Sequence, residues 1–264
     1  MIHIPHLETN VTSACQLRCA HCNHFVSLDA QARPKPFMLD PEIFARDLAN
    51  FGRLVHADKF GFLGGEPLLH PKLPYLIEIA KRAEIADELE VWTNGIRVLT
   101  MTDEFWLAPF DTLVVSAYPG QLSDGDLASI TTRCHHWKKA LSVKDERLYP
   151  NFTQLLKKEP GRAQATYDQC WFRTYSRVLD NGFLYQCCCG PYVPRLLLGL
   201  PEGTDGLKID MFTTLDEVVG YLHQKDALKS CAPCAGRNTA DAVPVRWEEI
   251  RDPKLWLERS SGRA

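Results

Sequence analysis

Three cysteines near the start of the chain have a spacing that suits metal chemistry. Cys15, Cys19 and Cys22 follow a C-x3-C-x2-C pattern. A structural zinc site takes four ligands and disulfides take pairs, so a set of three is incomplete for either. A cubane [4Fe–4S] cluster takes one thiolate per iron, so three thiolates leave one iron open to an external ligand. The spacing predicts such an open cluster, and a zinc site completed by His21 or His24 is the alternative.

The composition indicates a globular chain whose thiols stay reduced. The 264 residues are 45% hydrophobic and 24% charged, with a formal net charge of -3. This balance gives no reason to expect a nucleic-acid or membrane partner. The first residues also lack the basic and apolar stretches of a signal peptide. We therefore expect a cytoplasmic protein whose ten cysteines do not form disulfides, with those in clustered spacings acting as metal ligands or redox groups.

Strand patterns alternate with helix patterns through about the first 160 residues. The predicted strands cover residues 6–12, 59–63, 88–93 and 112–117. Asp40 followed by Pro41 predicts the start of a helix, and Leu73, Leu76 and Ile77 recur at helical spacing. Such alternation predicts a parallel sheet with helical crossovers. Each special motif directly follows a strand, so the motifs should meet at the carboxyl edge of the sheet.

At this edge the sequence resembles the radical S-adenosylmethionine (SAM) superfamily. The cysteine spacing is similar to that family's cluster loop, and residues 64–67 are similar to its GGEP motif. The resemblance implies that the open iron binds SAM, that Glu66 receives the SAM amino group, and that a 5′-deoxyadenosyl radical takes a hydrogen atom from the substrate. The residues it assigns to SAM binding are Gly64, Gly65, Glu66, Pro67, Asn94 and Ser116. It implies an α/β fold, a partial (β/α)6 TIM-like barrel over residues 1–160.

A second set of cysteines lies after residue 160, where the pattern changes. The Asn181-Gly182 pair predicts a β-hairpin, and Thr214 and Glu217 form a capping box that opens a helix. We assign residues 161–264 to a small hairpin-plus-helix domain that resembles the twitch domain, a shortened form of the SPASM domain. The resemblance implies one auxiliary [4Fe–4S] cluster, with the ligands Cys170, Cys187, Cys231 and Cys234.

Two questions about these cysteines stay open at the level of sequence. Strand alternation puts Cys187 and Cys189 on one face and Cys188 on the other, so either Cys187 or Cys189 could be the ligand. A zinc ion bound by four cysteines is the alternative to an iron–sulfur cluster. Cys134 stands apart from both sets and is predicted to be a buried apolar side chain.

The two modules together resemble the radical SAM dehydrogenases of the butirosin-biosynthesis type. This resemblance implies that a secondary alcohol of a small polyol, sugar or aminocyclitol is oxidised and that the auxiliary cluster accepts the second electron. A base must take the hydroxyl proton, and the candidates after the fifth strand are Asp145, Glu146, Arg147 and Tyr149. We expect a reducing flavodoxin or ferredoxin as the partner protein.

Three other functions compete with the dehydrogenase. A sugar or aminoglycoside epimerase would return a hydrogen atom from a thiol, for which Cys134, Cys188 or Cys189 could serve. A peptide-modifying maturase is disfavoured because no leader-binding domain is expected ahead of Cys15. An iron–sulfur electron carrier would not need the Gly-Gly-Glu-Pro motif. The sequence does not name the substrate.

Overall fold

The computed structural model describes residues 1–148, 152–250 and 252–262, and parallel strands form the centre of its first half. These strands are β1 (Ile2–Thr12), β2 (Val55–Gly64), β3 (Ala86–Thr93), β4 (Thr112–Ala117) and β5 (Ala140–Asp145). They lie side by side in the order β5-β4-β3-β2-β1. The four strands predicted from the sequence are confirmed, although β1 and β2 begin four residues earlier than their patterns indicated.

Helices connect successive strands and pack against the sheet. They are α1 (Val26–Ala32), α2 (Pro41–Phe51), α3 (Leu73–Ala83), α4 (Asp103–Leu107) and α5 (Asp124–His136). Asp40 caps α2 as predicted, because its carboxylate accepts hydrogen bonds from the backbone N–H groups of Glu42 and Ile43. The predicted apolar stripe of α3 is buried. This alternation confirms the α/β fold, with the parallel sheet of a partial barrel.

The two faces of the strands have different characters, as alternation along a strand requires. Leu7 on β1 and Val91 on β3 are fully buried and belong to the large apolar core shared with the helices. Their neighbours His6, Glu8 and Trp92 point to the opposite face, where they line a cavity. The sheet therefore separates an apolar core from a polar interior.

The rest of the described chain consists of short elements. They are β6 (Phe152–Thr153), α6 (Ala163–Gln169), α7 (Phe172–Tyr175), β7 (Ser176–Asp180), β8 (Phe183–Tyr185), α8 (Val193–Leu197), β9 (Gly206–Lys208), α9 (Leu215–Leu222), β10 (Pro244–Val245) and α10 (Trp256–Ser260). The predicted capping box opens α9, with both hydrogen bonds between Thr214 and Glu217 present. β10 pairs with β6 in a separate two-stranded sheet.

The predicted hairpin extends the main sheet instead of forming a sheet of its own. β7 runs parallel to β1 along its free edge, and β8 and β9 follow as antiparallel strands. Asn181 and Gly182, the two turn residues, both have positive φ angles, as a type I′ turn requires. The sixth parallel strand of the described chain thus comes from beyond residue 160. The division into residues 1–160 and 161–264 stays a prediction.

Candidate active site

A cavity of about 550 Å3 opens at the carboxyl edge of the parallel strands. All three cysteines of the first set line it, which confirms that the loops meet at this edge. Further lining residues that the sequence singled out are Gly64, Gly65, Asn94, Ser116 and Glu146. Cys189 and Cys234, from the second set, lie in the same wall. The cavity therefore has candidate metal ligands from both cysteine sets.

The cysteine loop leaves β1 and exposes its sulfur atoms only in part. Cys19 is buried, whereas Cys15 and Cys22 are half-buried. The backbone N–H of Leu17 donates a hydrogen bond to Cys15 Sγ at 3.4 Å, and the indole N–H of Trp247 donates to Cys19 Sγ at 3.1 Å. Burial raises the pKa of the Cys15 thiol to about 12. A bound metal would therefore have to displace thiol protons.

The glycine pair after β2 packs against the backbone of the cysteine loop. A Cβ atom on Gly65 would lie 2.1 Å from the carbonyl oxygen of Ala14. Gly64 has a φ of 127°, and a Cβ there would lie 2.4 Å from the carbonyl oxygen of Thr12. The Gly65 N–H also donates to that Thr12 oxygen at 2.6 Å. Both positions require glycine because the backbone after β2 and the backbone of the cysteine loop are in direct contact here.

Glu66 joins two loops, and its predicted contact with SAM stays a prediction. Its carboxylate accepts hydrogen bonds from the Thr93 hydroxyl at 2.6 Å, the Asn94 backbone at 2.8 Å and the Leu68 backbone at 3.1 Å. The side chain is fully buried, and burial raises its pKa to about 7 although the three donors act in the opposite direction. Among the described residues, neither Glu66 nor Pro67 lines the cavity. Glu66 thereby fixes the loop that carries Asn94.

Asn94 contacts the cysteine loop directly. Its amide nitrogen lies 3.9 Å from Cys15 Sγ, and its amide oxygen accepts a hydrogen bond from the Gln16 side chain at 3.3 Å. Ser116 lies at the end of β4, level with Lys144 of β5. Both Asn94 and Ser116 therefore present polar groups to the cavity beside the cysteines.

Polar residues that the sequence analysis did not select line the barrel interior. Glu8 accepts a hydrogen bond from the Ser176 hydroxyl at 2.5 Å and lies 3.2 Å from His6 Nδ1. The other nitrogen of His6 lies 3.4 Å from Glu90. Burial lowers the pKa of His6, but the two carboxylates outweigh it and raise the value to about 9. His6 is consequently an imidazolium held between Glu8 and Glu90.

This polar array continues across the barrel. Glu90 accepts hydrogen bonds from Lys59 at 2.7 Å and from the Trp92 indole at 2.8 Å. Burial raises the pKa of Glu90, but hydrogen bonds from His6 and these two donors bring it down to about 2. The ammonium of Lys144 lies 3.6 Å from the centre of the Trp92 ring, within the cavity wall. The array thus offers both hydrogen-bond donors and acceptors.

The sequence contained a signal for this array. Positions 6, 8 and 10 of the first strand are polar, so this face of β1 is polar over its second half. A polar inner face in a sheet with helices on its other side indicates an interior that binds a ligand.

The predicted base candidates fall in different places. Glu146 lines the cavity. The guanidinium of Arg147 forms ion pairs with Asp145 at 2.8 Å and with Asp124 at 2.9 Å. Arg147 is not among the described residues that line the cavity. Tyr149 lies outside the described residues.

The second cysteine set converges in space from three segments. A Cβ atom on Gly236 would lie 3.5 Å from Cys170 Sγ, and burial raises the pKa of the Cys231 thiol. The backbone N–H of Gly236 donates to Cys234 Sγ at 3.3 Å. The four thiols that the sequence selected have the donor types of a cubane or of a zinc site.

The remaining cysteines differ in their surroundings. Cys189 Sγ lies 3.9 Å from Cys234 Sγ and lines the cavity. Cys188 is buried, and its sulfur accepts a hydrogen bond from the Asn23 side chain at 3.3 Å. Cys134 is buried in the apolar core beneath α5, as predicted. Of the three cysteines considered as hydrogen donors, Cys189 alone reaches the cavity in the described chain.

The first cysteine set fits a cluster by its donor chemistry. Three thiols on one loop share a cavity wall with the carbonyl-rich glycine loop and the Asn94 amide. Within residues 1–148, 152–250 and 252–262, no three His, Cys, Asp or Glu side chains converge on a single metal ion. A cubane makes a different demand, since each thiolate binds its own iron. The two histidines that could complete a zinc site have other partners. The Nδ1 atom of His24 lies 3.0 Å from the Asn10 amide oxygen, and Nδ1 of His21 accepts a hydrogen bond from the Leu155 backbone N–H at 3.4 Å.

Residues 9–117 match the sequence family described as the Radical SAM superfamily. The matched residues contain the first cysteine set, the glycine loop, Asn94 and Ser116. The family implies a [4Fe–4S] cluster and SAM as cofactors, in agreement with the sequence-based expectation.

Two similar curated proteins are GTP 3′,8-cyclases. That of Chlorobaculum tepidum is 32% identical over 114 residues, which cover 43% of this chain and 32% of that enzyme. That of Streptomyces coelicolor is 29% identical over 110 residues, covering 42% of this chain and 32% of that enzyme. The chain thus spans about a third of the length of these relatives.

Solved structures are similar to the chain at low sequence identity, and the anSMEcpe structure shares its fold. Native anSMEcpe with bound AdoMet and a peptide matches with a TM-score of 0.54 and 12% identity, covering 99% of this chain and 98% of that one. BtrN in complex with AdoMet and 2-DOIA matches with a TM-score of 0.46 and 13% identity, covering 86% of this chain and 84% of that one.

In the described chain, no helix has the length and apolar composition needed to cross a bilayer.

Proposed function

We propose that the protein is a radical SAM enzyme that takes a hydrogen atom from a small polyol, sugar or aminocyclitol and oxidises a secondary alcohol. One observation carries the proposal: both cysteine sets and the charged interior of the barrel line one cavity. An electron carrier would need no enclosed cavity of about 550 Å3 with a polar array at one side.

The residues Cys15, Cys19 and Cys22 would hold the first [4Fe–4S] cluster. When bound, this cluster supplies the electron that cleaves SAM and so starts hydrogen abstraction. Asn94 and Ser116 would bind polar groups of SAM, since both reach the cavity beside the cysteines. The role of Glu66 in this proposal is to hold the Asn94 loop by accepting hydrogen bonds from the Thr93 hydroxyl and the Asn94 backbone N–H.

Glu8 is the group that we expect to take the hydroxyl proton. Ser176 holds one carboxylate oxygen at 2.5 Å, and the side chain reaches the cavity. Burial raises the pKa of Glu8, but the adjacent His6 imidazolium lowers it below its usual value, so the carboxylate is ionised and can accept. Lys144 supplies a donor to neighbouring hydroxyl groups of the substrate.

Oxidation of the alcohol to a ketone removes one hydrogen atom, one proton and one further electron. Glu8 receives the proton, and the second cysteine set would hold the acceptor of the electron. We propose Cys170, Cys187, Cys231 and Cys234 as ligands of this auxiliary [4Fe–4S] cluster. Cys187 is taken as the ligand from the resemblance to the twitch domain, and Cys189, whose sulfur lies 3.9 Å from Cys234 Sγ, is the alternative. A flavodoxin or ferredoxin would reduce the first cluster.

An epimerase is the second candidate, and the position of Cys189 favours it. A thiol that lines the cavity could return a hydrogen atom to the substrate radical. In that case the substrate keeps its mass, and the hydrogen that it gains comes from solvent, because thiol protons exchange with water.

Anaerobic turnover in D2O separates the two reactions. We expect a product that is two hydrogens poorer and carries no deuterium at the abstracted carbon, measured by mass spectrometry against a panel of sugars, cyclitols and, because of the relatives, GTP. Incorporation of a single deuterium that is lost in Cys189→Ala but kept in the matched Cys134→Ala variant would replace the dehydrogenase by the epimerase. Absence of 5′-deoxyadenosine with every substrate would contradict both.

A further inference from the structure

The C-terminal segment returns to the first cysteine loop and pairs with it. The backbone N–H of Ala20 donates to the Glu248 carbonyl at 2.9 Å, and that of Ile250 donates to the Arg18 carbonyl at 2.8 Å. Cys19 lies between these two bonds, in a β-bridge with Glu249. The cysteine loop is therefore bordered by a strand from the far end of the chain.

Two tryptophans of this segment bond to Cys19. The indole N–H of Trp256, which is fully buried, donates to the Cys19 carbonyl oxygen at 3.0 Å. The indole N–H of Trp247 donates instead to the sulfur atom, at 3.1 Å. The second contact is the one that bears on cluster chemistry, because the sulfur would be an iron ligand.

The orientation of Trp247 is fixed by stacking. Its ring lies parallel to that of Tyr118, with 5.3 Å between the centroids and 12° between the planes. Tyr118 in turn contacts the ring of Phe152. The indole nitrogen is a donor only, so its hydrogen must point at an acceptor, and Cys19 Sγ is that acceptor.

We propose that Trp247 is a positioning residue that sets the reduction potential of the first cluster through its N–H bond to Cys19. The inference rests on the proposed function, since it requires a cluster on Cys15, Cys19 and Cys22. Reduction adds negative charge to a cluster and its thiolates, and a donor aimed at a thiolate sulfur stabilises the reduced form more than the oxidised form. The contact should therefore make the cluster easier to reduce.

The test is a redox titration of the anaerobically reconstituted full chain, followed by electron paramagnetic resonance. The signal that changes on addition of SAM identifies the first cluster. In Trp247→Phe, which keeps a stacking ring but lacks the N–H, we expect the midpoint potential to become more negative. A tenfold change in the reduction equilibrium would appear as a shift of about 59 mV for a one-electron couple. Iron content should stay at the wild-type value.

Trp171→Phe is the matched control, because the Trp171 ring likewise stacks on a tyrosine, Tyr175, and lies in the wall of the cavity. Its potential should equal that of the wild type. An unchanged potential in iron-replete Trp247→Phe would overturn the inference and leave the proposed function intact. A wild-type protein with no SAM-responsive signal would instead refute the proposed function.

Loss of iron from Trp247→Phe calls for a second variant, Trp247→His, which keeps a ring N–H. Recovery of iron in Trp247→His supports a role for the hydrogen bond. Equal loss in both variants would overturn the inference, because the size of the indole rather than its donor would then be what matters.

Discussion

Glu8 and Glu146 are two carboxylates that line the same cavity, yet their surroundings differ. Glu8 is held by Ser176 and by the His6 imidazolium, and His6 is held in turn by Glu90. Glu146 follows β5 directly, at a less buried position. A base works best when its geometry is fixed before the reaction, and we favour Glu8 for proton transfer because it is the more buried of the two and its partners are Ser176 and His6.

We expect Glu8→Gln to reduce turnover of the substrate by about 100-fold or more, the range that a positioned base contributes. The amide keeps the shape of the side chain but cannot take a proton. Turnover is measured as product formed per chain under anaerobic conditions, and iron content is measured in parallel.

Glu146→Gln is the control for this experiment, since it removes a carboxylate from the same cavity. Its turnover should fall by much less. The reverse ranking, with Glu146→Gln inactive and Glu8→Gln active, would assign the base to the candidate that the sequence proposed after the fifth strand.

Among the elements, the contact between the glycine loop and the cysteine loop determines whether the first site can form. We expect Gly65→Ala to lose the iron of the first cluster, because its Cβ would lie 2.1 Å from the Ala14 carbonyl oxygen. Backbone cannot move aside as a side chain can, so the loops must separate. Overpacking of this kind costs about 1–3 kcal/mol in the free energy of unfolding. Iron analysis and thermal unfolding measure the two effects.

Gly220→Ala supplies the comparison. Gly220 lies in α9, and a Cβ there would contact nothing within 4 Å. Alanine in a helix is favoured over glycine by about 1 kcal/mol, so this variant should keep its iron and unfold at an equal or higher temperature. Full iron content in Gly65→Ala would mean that the close approach of the loops is dispensable.

For the whole molecule, we expect two clusters and about eight iron atoms per reconstituted chain, since each cubane holds four. Replacing Cys15, Cys19 and Cys22 together by alanine should halve the iron content and abolish 5′-deoxyadenosine formation. The iron that remains belongs to the second cysteine set. Cys134→Ala should change neither quantity, because Cys134 is buried in the apolar core.

Metal analysis of the triple variant decides what the second set binds. Stoichiometric zinc in place of the remaining iron would contradict the auxiliary cluster and, with it, the internal electron acceptor. Comparison of Cys187→Ala with Cys189→Ala then identifies the ligand, since only the variant that lacks a true ligand should lose that metal.

The sequence by itself determined the local features of this protein. The strands, the Asp40 cap, the turn at Asn181 and Gly182 and the capping box at Thr214 follow from residue types within a few positions of one another. The spacing of the first cysteines is likewise local. The order of motifs after parallel strands then required them to meet at one edge, because carboxyl ends of parallel strands lie together.

Tertiary structure decided which distant residues meet. Trp247 bonds Cys19 from 228 positions away, and Ser176 bonds Glu8 from 168 positions away. Glu66 carried a family motif, yet its acceptors are satisfied by neighbouring loops. β7 fills the edge of β1 although the sequence assigned it to another domain. A local pattern fixes the conformation of a segment and its buried face, but partners across the chain are chosen by packing and hydrogen bonding once the segments have assembled.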